Sequence, residues 1–460
     1  MKRINHILRA SLLLLAVAYL PSCQKDFGDV NVNPNQPTDV PVNIILPSAQ
    51  ASLAYTLGGD IARYNAVFTQ NVTGADRQFA AYNIYTFTSD DFNNLWNNMY
   101  SGNMADLNRI IEKANAEDGS YNAYRGVSKI LMAYSLMTVT DLWGDVPFSE
   151  AFLGNDNPTP AYETQANIYG TILPGLLDGG IADINNSGND VLTPGADDLI
   201  FAGDLAMWEK FAHGIKARMF LHQSKRDASA YANAAAEAAL SFAPGESAAF
   251  TFGANYQSPW FQYIDQRADI SYSTLDYYYG IGCFHTDTLQ GLNDPRFAKM
   301  IDVNGDYYAP GFPSAYYMAD NAKVTLLSDF ELDFIKAEAL LNTDLAGATA
   351  ALEDGVTNSF LALDLDASDA TTYIAANVDL ANSTDKLGLI IFQKYLANYL
   401  QPESWTDWRR TDKPDLTPNA GAASGQIPRR YIYPTNEIQN NPNGSNAAGT
   451  MYNPKMWWEN

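Results

Sequence analysis

Residues 96–136, "WNNMYSGNMADLNRIIEKANAEDGSYNAYRGVSKILMAYSL", decide the fold. Trp96, Met99, Tyr100, Asn103, Leu107, Ile110, Ile111 and Ala114 recur every three or four positions and form one largely apolar stripe, with Glu112 and Lys113 outside it. Asp118-Gly119-Ser120 interrupts the pattern, and Tyr124, Val127, Ile130, Leu131, Tyr134 and Leu136 resume it as a second face. Two amphipathic helices joined by a short turn pack antiparallel, each covering the stripe of the other. The same period returns at 166–184, 206–223, 231–243, 324–341, 346–361 and 387–400, so side-by-side stacking of helix pairs is expected. The tetratricopeptide consensus is absent, so the evidence is for helix pairs rather than for that repeat by motif. The expected fold class is all-α, a helix-pair superhelix with an irregular, loop-rich subdomain.

That subdomain is read at 244–323. "NYQSPWFQYIDQRADISYSTLDYYYGIGC" and "VNGDYYAPGFPSAYYMADN" are aromatic and polar and are punctuated by Gly and Pro, which fits loops and short strands. A loop region of this length within a compact domain usually has a function.

The N-terminus carries a different signal. Lys2, Arg3 and Arg9 precede an apolar run from Ala10 to Leu20, which stops at Pro21-Ser22-Cys23. The run is far shorter than the roughly 18 residues a membrane span needs. Residues 1–22 read as an export signal, and Leu20-Pro21-Ser22-Cys23 looks like a lipobox, with proline at its second position as a departure. Cys23 would then be the acylated first residue of the mature chain. Residues 23–43, rich in Asn, Asp and Pro, read as a lipidated leader and linker, and 44–460 as the folded domain. Asp29, Asn31 and Asn33 alternate like calcium ligands, but Pro34 and Val40 occupy the positions where a calcium loop needs glycine and glutamate.

Composition narrows the function. With 52 acidic against 28 basic residues, the net charge of −24 repels phosphate backbones and anionic bilayers, so nucleic acid is not an expected partner and membrane contact is by the anchor alone. Only Cys283 remains beside Cys23, so a disulfide framework is not expected. The histidines beyond the signal, His213, His222 and His285, lack metal-ligand spacing, and "GIGCFH" at 280–285 lacks the third glycine of a dinucleotide fingerprint. Asp90 with Asp91, Asp197 with Asp198 and Glu331 with Asp333 could serve as a glycosidase pair, but neighbouring acids are expected by chance in so acidic a chain. No catalytic residue, metal or cofactor is implied.

Several segments together resemble the SusD/RagB-like nutrient-binding outer-membrane lipoproteins of Bacteroidetes, in particular their second large subfamily. They are "DFGDVNVNPNQPTDV" (26–40), "TDLWGDVPFSEAF" (140–152), "WEKFAHGIKARMFL" (208–221), "DPRFAKMI" (294–301), "QKYLANYLQPESWTDWRRTDKPDL" (393–416) and "IPRRYIYPTNEI" (427–438). In physical terms, Gly144 permits the positive φ where a helix stops, and Pro147 bars its resumption. Trp405, Trp408 and Arg409 suggest rings covered by a guanidinium, and Arg429 and Arg430 suggest pairing with acids. The resemblance implies tetratricopeptide-like helix pairs and a loop-rich ligand surface. It also implies a place at the cell surface, held by the lipid, with Gln24, Lys25 and Asp26 as the export address. The implied partner is a TonB-dependent transporter, over which such a protein sits as a lid.

Sugars present C–H faces that pack on aromatic rings and hydroxyls that need polar neighbours. Two regions mix these residue types, and peptides can use the same surface. The first holds Arg77, Phe79, Tyr82 and Tyr85, and the second Trp260, Tyr263, Tyr278, Tyr279, Tyr307, Tyr308 and Tyr317. The expected activity is non-catalytic capture of a nutrient, a glycan before a peptide. The alternatives are a surface-anchored glycoside hydrolase and a lid with little ligand contact of its own.

Overall fold

The computed structural model describes residues 40–74, 77–117, 119–253, 255–264, 283–304, 313–444 and 449–460. The leader and Cys23 lie outside this set, as do Tyr278, Tyr279, Tyr307 and Tyr308.

Most of the described chain is helical. Helices α1 (Val42–Thr56), α2 (Ala62–Phe68) and α3 (Arg77–Asn83) lead into the stack. The deciding stretch forms α4 (Ala105–Ala116), preceded by a widened helical turn at Asn98–Met104, and α5 (Asn122–Trp143). Then come α6 (Leu173–Asn185), α7 (Leu205–His222) and α8 (Ala230–Ala238). The short α9 (Pro259–Ile264) lies in the loop-rich region, and α10 (Asp329–Leu340), α11 (Leu345–Leu361), α12 (Ala367–Asn377), α13 (Lys386–Ala397) and α14 (Glu403–Thr411) complete the array. Helix α5 packs against both α4 and α6, α7 against α8, and α10 against α11, which is a tetratricopeptide-like stack of antiparallel pairs. No helix among the described residues is long and apolar enough to cross a membrane.

Strand content is small. β1 (Val146–Pro147) pairs antiparallel with β2 (Tyr162–Glu163), and β3 (Ser247–Thr251) with β4 (Lys323–Ser328). The last of these corrects one expectation, since the helix read over 324–341 begins only at Asp329. Val324 to Leu327 pair with β3, and Ser328 then starts the helix, its hydroxyl accepting from Glu331 N at 3.2 Å. Helix α12 was not anticipated, because "ASDATTYIAAN" buries little beyond Ala370 and Tyr373 and so carries almost no apolar stripe.

Close approach in the stack depends on glycine at one crossing. A Cβ on Gly126 of α5 would lie 2.7 Å from the carbonyl oxygen of Gly180 on α6. Gly126→Ala is therefore expected to destabilise the fold by about 1–3 kcal/mol, read as a lower thermal midpoint.

The family-like segments act mainly as clamps. Gly144 ends α5 at φ +91°. Arg296 of "DPRFAKMI" is fully buried, bonds both oxygens of Asp294 and stands 4.8 Å from the Phe360 ring centroid. Arg409 lies 3.7 Å from the Trp405 ring and Arg429 lies 4.7 Å from that of Trp408. Arg429 pairs with Glu459 at 2.7 Å and with Asp412. Arg430 departs from the expected acid pairing and donates instead to the Trp143 carbonyl at 2.5 Å. It therefore joins the C-terminal segment to the end of α5 through the backbone.

Candidate ligand-facing site

Helix α1 does not simply end. It widens over Leu57–Ile61, where Gly59 leaves helical geometry at φ −92°, ψ −111°. A side chain at Gly58 would collide with Val324, so the glycine lets β4 close on the turn. Just beyond, Arg63 pairs with Asp60 one turn away. The Arg63 guanidinium carbon stands 3.5 Å from the ring centroid of Tyr263 on α9 and 5.1 Å from that of Phe79. Tyr263 donates to Asp60 Oδ1 at 3.4 Å, and Tyr55 donates to Gln262 Oε1 at 3.1 Å.

Charge and ring hold each other here. Burial alone would lower the Arg63 pKa, but Asp60 outweighs it and holds the group above its ordinary value. Burial pushes the Tyr263 phenol up, so it stays a neutral donor at any physiological pH. Arg63 Nε is buried without an acceptor among the described residues.

The residues nominated from sequence divide sharply. Phe79, Tyr82 and Tyr85 are buried. Tyr82 stacks on Phe87 with centroids 4.1 Å apart and donates to Asp91 at 2.5 Å. Tyr85 packs edge-on to Phe68, and its hydroxyl accepts from Asn419 N at 3.1 Å. These rings belong to an interior aromatic cluster with Tyr64, Phe92 and Tyr431. Arg77 opens α3. Trp260 is buried and Tyr317 packs edge-on to Tyr399, both beside a void of about 30 Å³. One water needs about 10–15 Å³ of such space, so the void takes about two or three waters and is too small for a sugar.

Among the described residues, Tyr263 and Tyr317 are the nominated rings that stay half-buried, and Tyr263 is in direct contact with a cation and a carboxylate. Sequence reasoning missed Asp60, Arg63, Tyr55 and Gln262. A helical period shows that a face exists, but not that residues about 200 positions apart share it. The one local signal was the Gly58-Gly59 pair, which marks a break in an otherwise apolar helix.

The acids weighed as a glycosidase pair all have structural work. Asp198 accepts from Gln50 at 2.8 Å and Trp208 Nε1 at 2.7 Å, Asp197 accepts from Tyr124 at 2.8 Å, and Glu331 holds Arg218 at 2.7 Å. Asp91 accepts from the Thr88 backbone N at 2.7 Å, Asp90 accepts from Asn93 at 3.2 Å, and Asp333 pairs with Lys336 at 3.1 Å. Among the described residues, no group of three or more His, Cys, Asp and Glu is placed to hold a metal ion. Cys283 is buried, and burial raises its thiol pKa.

Comparison with known proteins agrees with this architecture. The SusD-like_2 family profile, described as "Starch-binding associating with outer membrane", matches residues 34–434. A SusD/RagB family protein from Bacteroides thetaiotaomicron VPI-5482 is 26% identical, with a TM-score of 0.78 over 92% of this chain and 99% of that one. A chitin-binding SusD homolog from Flavobacterium johnsoniae is 20% identical, with a TM-score of 0.73 over 91% and 97%. A SusD homolog from Bacteroides ovatus ATCC 8483, also 20% identical, has a TM-score of 0.74 over 91% and 99%. A search of curated proteins gives no match. The family match spans most of the chain, and with the helix-pair stack beneath it this protein belongs to the SusD/RagB-like family of nutrient-binding outer-membrane proteins.

Proposed function

We propose that this chain is a lipid-anchored receptor on the cell surface that captures an oligosaccharide and hands it, unaltered, to a TonB-dependent outer-membrane transporter. Residues 1–22 are removed on export, Cys23 carries the acyl groups, and 23–43 space the domain from the membrane. Two acyl chains suffice for stable attachment. The loops of 244–323 present the ligand, and Tyr278, Tyr279, Tyr307 and Tyr308 contribute rings there.

The observation that carries this reading is the Arg63–Tyr263 pair on Asp60, beside the Tyr55–Gln262 bond. It combines a ring held in place, a cation, a carboxylate and an amide, which together serve both the apolar face and the hydroxyls of a sugar. Two of the similar structures are of chitin-binding proteins, so N-acetylated oligosaccharides are the first probes.

Titration calorimetry of the full-length chain in detergent with chitooligosaccharides and starch oligosaccharides tests the proposal. One series should bind and be recovered intact, and Tyr263→Ala and Arg63→Ala should each weaken it about tenfold or more. Unchanged affinity in both variants would remove the site assignment. Shortened products would favour the hydrolase.

A further inference from the structure

Strands β3 and β4 meet the C-terminal end of α11 without filling the space between them. Side chains alternate across the ladder, so Ala248 and Phe250 go to the core while Ser247, Ala249 and Thr325 line the other face. Because those three are small, a cleft of about 390 Å³ remains. That is within the range of small-molecule sites, about 300–1,000 Å³. It shares no lining residue with the Arg63–Tyr263 surface.

Two aromatic residues line this cleft, Phe330 and Tyr316, and Tyr316 is the more exposed. Tyr316 is 47% exposed, yet it is held twice, its hydroxyl donating to the Ala362 carbonyl at 3.2 Å and its ring meeting Tyr317 edge-on at 4.8 Å. Tyr317 is in turn backed by Tyr399. Leu361, also 47% exposed, lines the same cleft. A large exposed ring that is already immobilised loses little freedom on binding.

The charges are unequally committed. Both oxygens of Glu246 are taken by Lys210 Nζ at 2.7 Å, and Asp329 accepts from Gly245 N at 2.6 Å and Phe330 N at 2.8 Å. Asn358 donates to Asp333 at 2.8 Å, while its Oδ1 takes no donor among the described residues. Lys323 is exposed and makes no ion pair among the described residues, although acids outnumber bases 52 to 28 in this chain. The cleft therefore offers a fixed ring, hydroxyl and amide groups, and an uncommitted cation, while its carboxylates are occupied.

We infer that this cleft is a second saccharide site, which takes a single sugar unit bearing a carboxylate, a uronic acid. Tyr316 covers its C–H face, Lys323 pairs with its carboxylate, and Ser247, Thr325 and Asn358 meet its hydroxyls. The site is separate from the oligosaccharide surface at Tyr263.

Saturation-transfer NMR and titration of the full-length chain in detergent test this, with galacturonic acid and its neutral counterpart galactose as probes. Galacturonic acid should bind about tenfold more tightly than galactose. Lys323→Gln, a change at an exposed position, should erase that difference. Tyr316→Ala should remove binding of both sugars while circular dichroism is unchanged, and Tyr263→Ala should leave both intact. The inference is overturned if galacturonic acid does not bind, if the two sugars bind equally, or if Lys323→Gln has no effect. Loss of oligosaccharide capture in Tyr263→Ala with galacturonic acid binding retained separates failure at one site from failure at the other.

Discussion

Glu403→Ala is expected to destabilise this protein by about 3–5 kcal/mol, because it leaves buried cations without their partner. Glu403 lies at the start of α14, where Oε1 meets His222 Nε2 at 2.8 Å and Oε2 stands 3.7 Å from Arg218 Nε. Arg218 is buried and donates to both oxygens of Glu331 at 2.8 and 2.7 Å. From there the chain of charges runs through Lys394 and Asp407 (2.7 Å apart) to Arg410, which is paired with Glu338. On the other side His222 Nδ1 reaches Asp141, which also accepts from Trp458 Nε1 at 2.8 Å. Helices α5, α7, α10, α13 and α14 thus share one buried ionic network. Denaturant unfolding of the variant would measure the loss, and a change below about 1 kcal/mol would mean that water compensates the orphaned charges.

The same network sets a pH dependence. Burial works against charge on His222, but Glu403 and Asp141 overcome it and raise the pKa from 6.5 to about 9. A group raised in the folded state contributes stability that is fully present below its unfolded pKa. For His222 that contribution is complete below 6.5 and is lost as pH rises through about 9. Burial likewise opposes charge on Glu403, yet His222 and Arg218 hold it well below its ordinary value of 4.5. Its contribution is present above 4.5 and is lost as pH falls. The thermal midpoint should therefore fall on both sides of neutrality, and Glu403→Gln should flatten the alkaline fall as well as the acid one.

Tyr431→Ala should cost a comparable amount, about 3–5 kcal/mol, by opening a cavity in the interior. Tyr431 is fully buried and stacks on Trp405 at 5.4 Å. It packs edge-on to Trp143 and Phe68, and its hydroxyl donates to Asn65 Oδ1 at 2.7 Å. Its backbone N–H donates to the Leu142 carbonyl at 2.7 Å. The ring thus joins the C-terminal segment to α2 and to the end of α5, so its loss should loosen both ends of the folded domain together. Hydrogen exchange should then speed up in α2 and α5 alike; exchange confined to 427–434 would mean that the segment is a surface strap. Tyr431→Phe, which keeps the ring and removes one hydrogen bond, should cost only about 1 kcal/mol.

The segments that were most distinctive in sequence turned out to be the ones that close the scaffold. "IPRRYIYP" and "WTDWRR" supply Tyr431, Trp405 and Arg409 to the interior, and "DPRFAKMI" supplies Arg296. Periodicity identified the helices wherever one face is apolar and the other wet, as in α4. It failed at β4, where an apolar run too short to show its period passes directly into a helix, and at α12, where almost nothing is buried.

Sequence alone determined the class of fold and the helix pairs, which follow from residue types at fixed local spacing, and the net negative charge, which follows from composition, while the place of this chain in its family followed from its resemblance to known members. Only the tertiary structure decided which aromatic rings are available to a ligand. Tyr82 and Tyr263 both stand in stretches that mix aromatic and polar residues, but one is enclosed by Tyr64 of α2 with Phe79 and Phe87 and the other stands against Arg63. Tyr316 and Tyr317 are adjacent, and a single backbone step turns one outward to the cleft and the other onto Tyr399. Exposure depends on what the rest of the chain brings alongside, over separations of hundreds of residues, and local spacing carries no record of it.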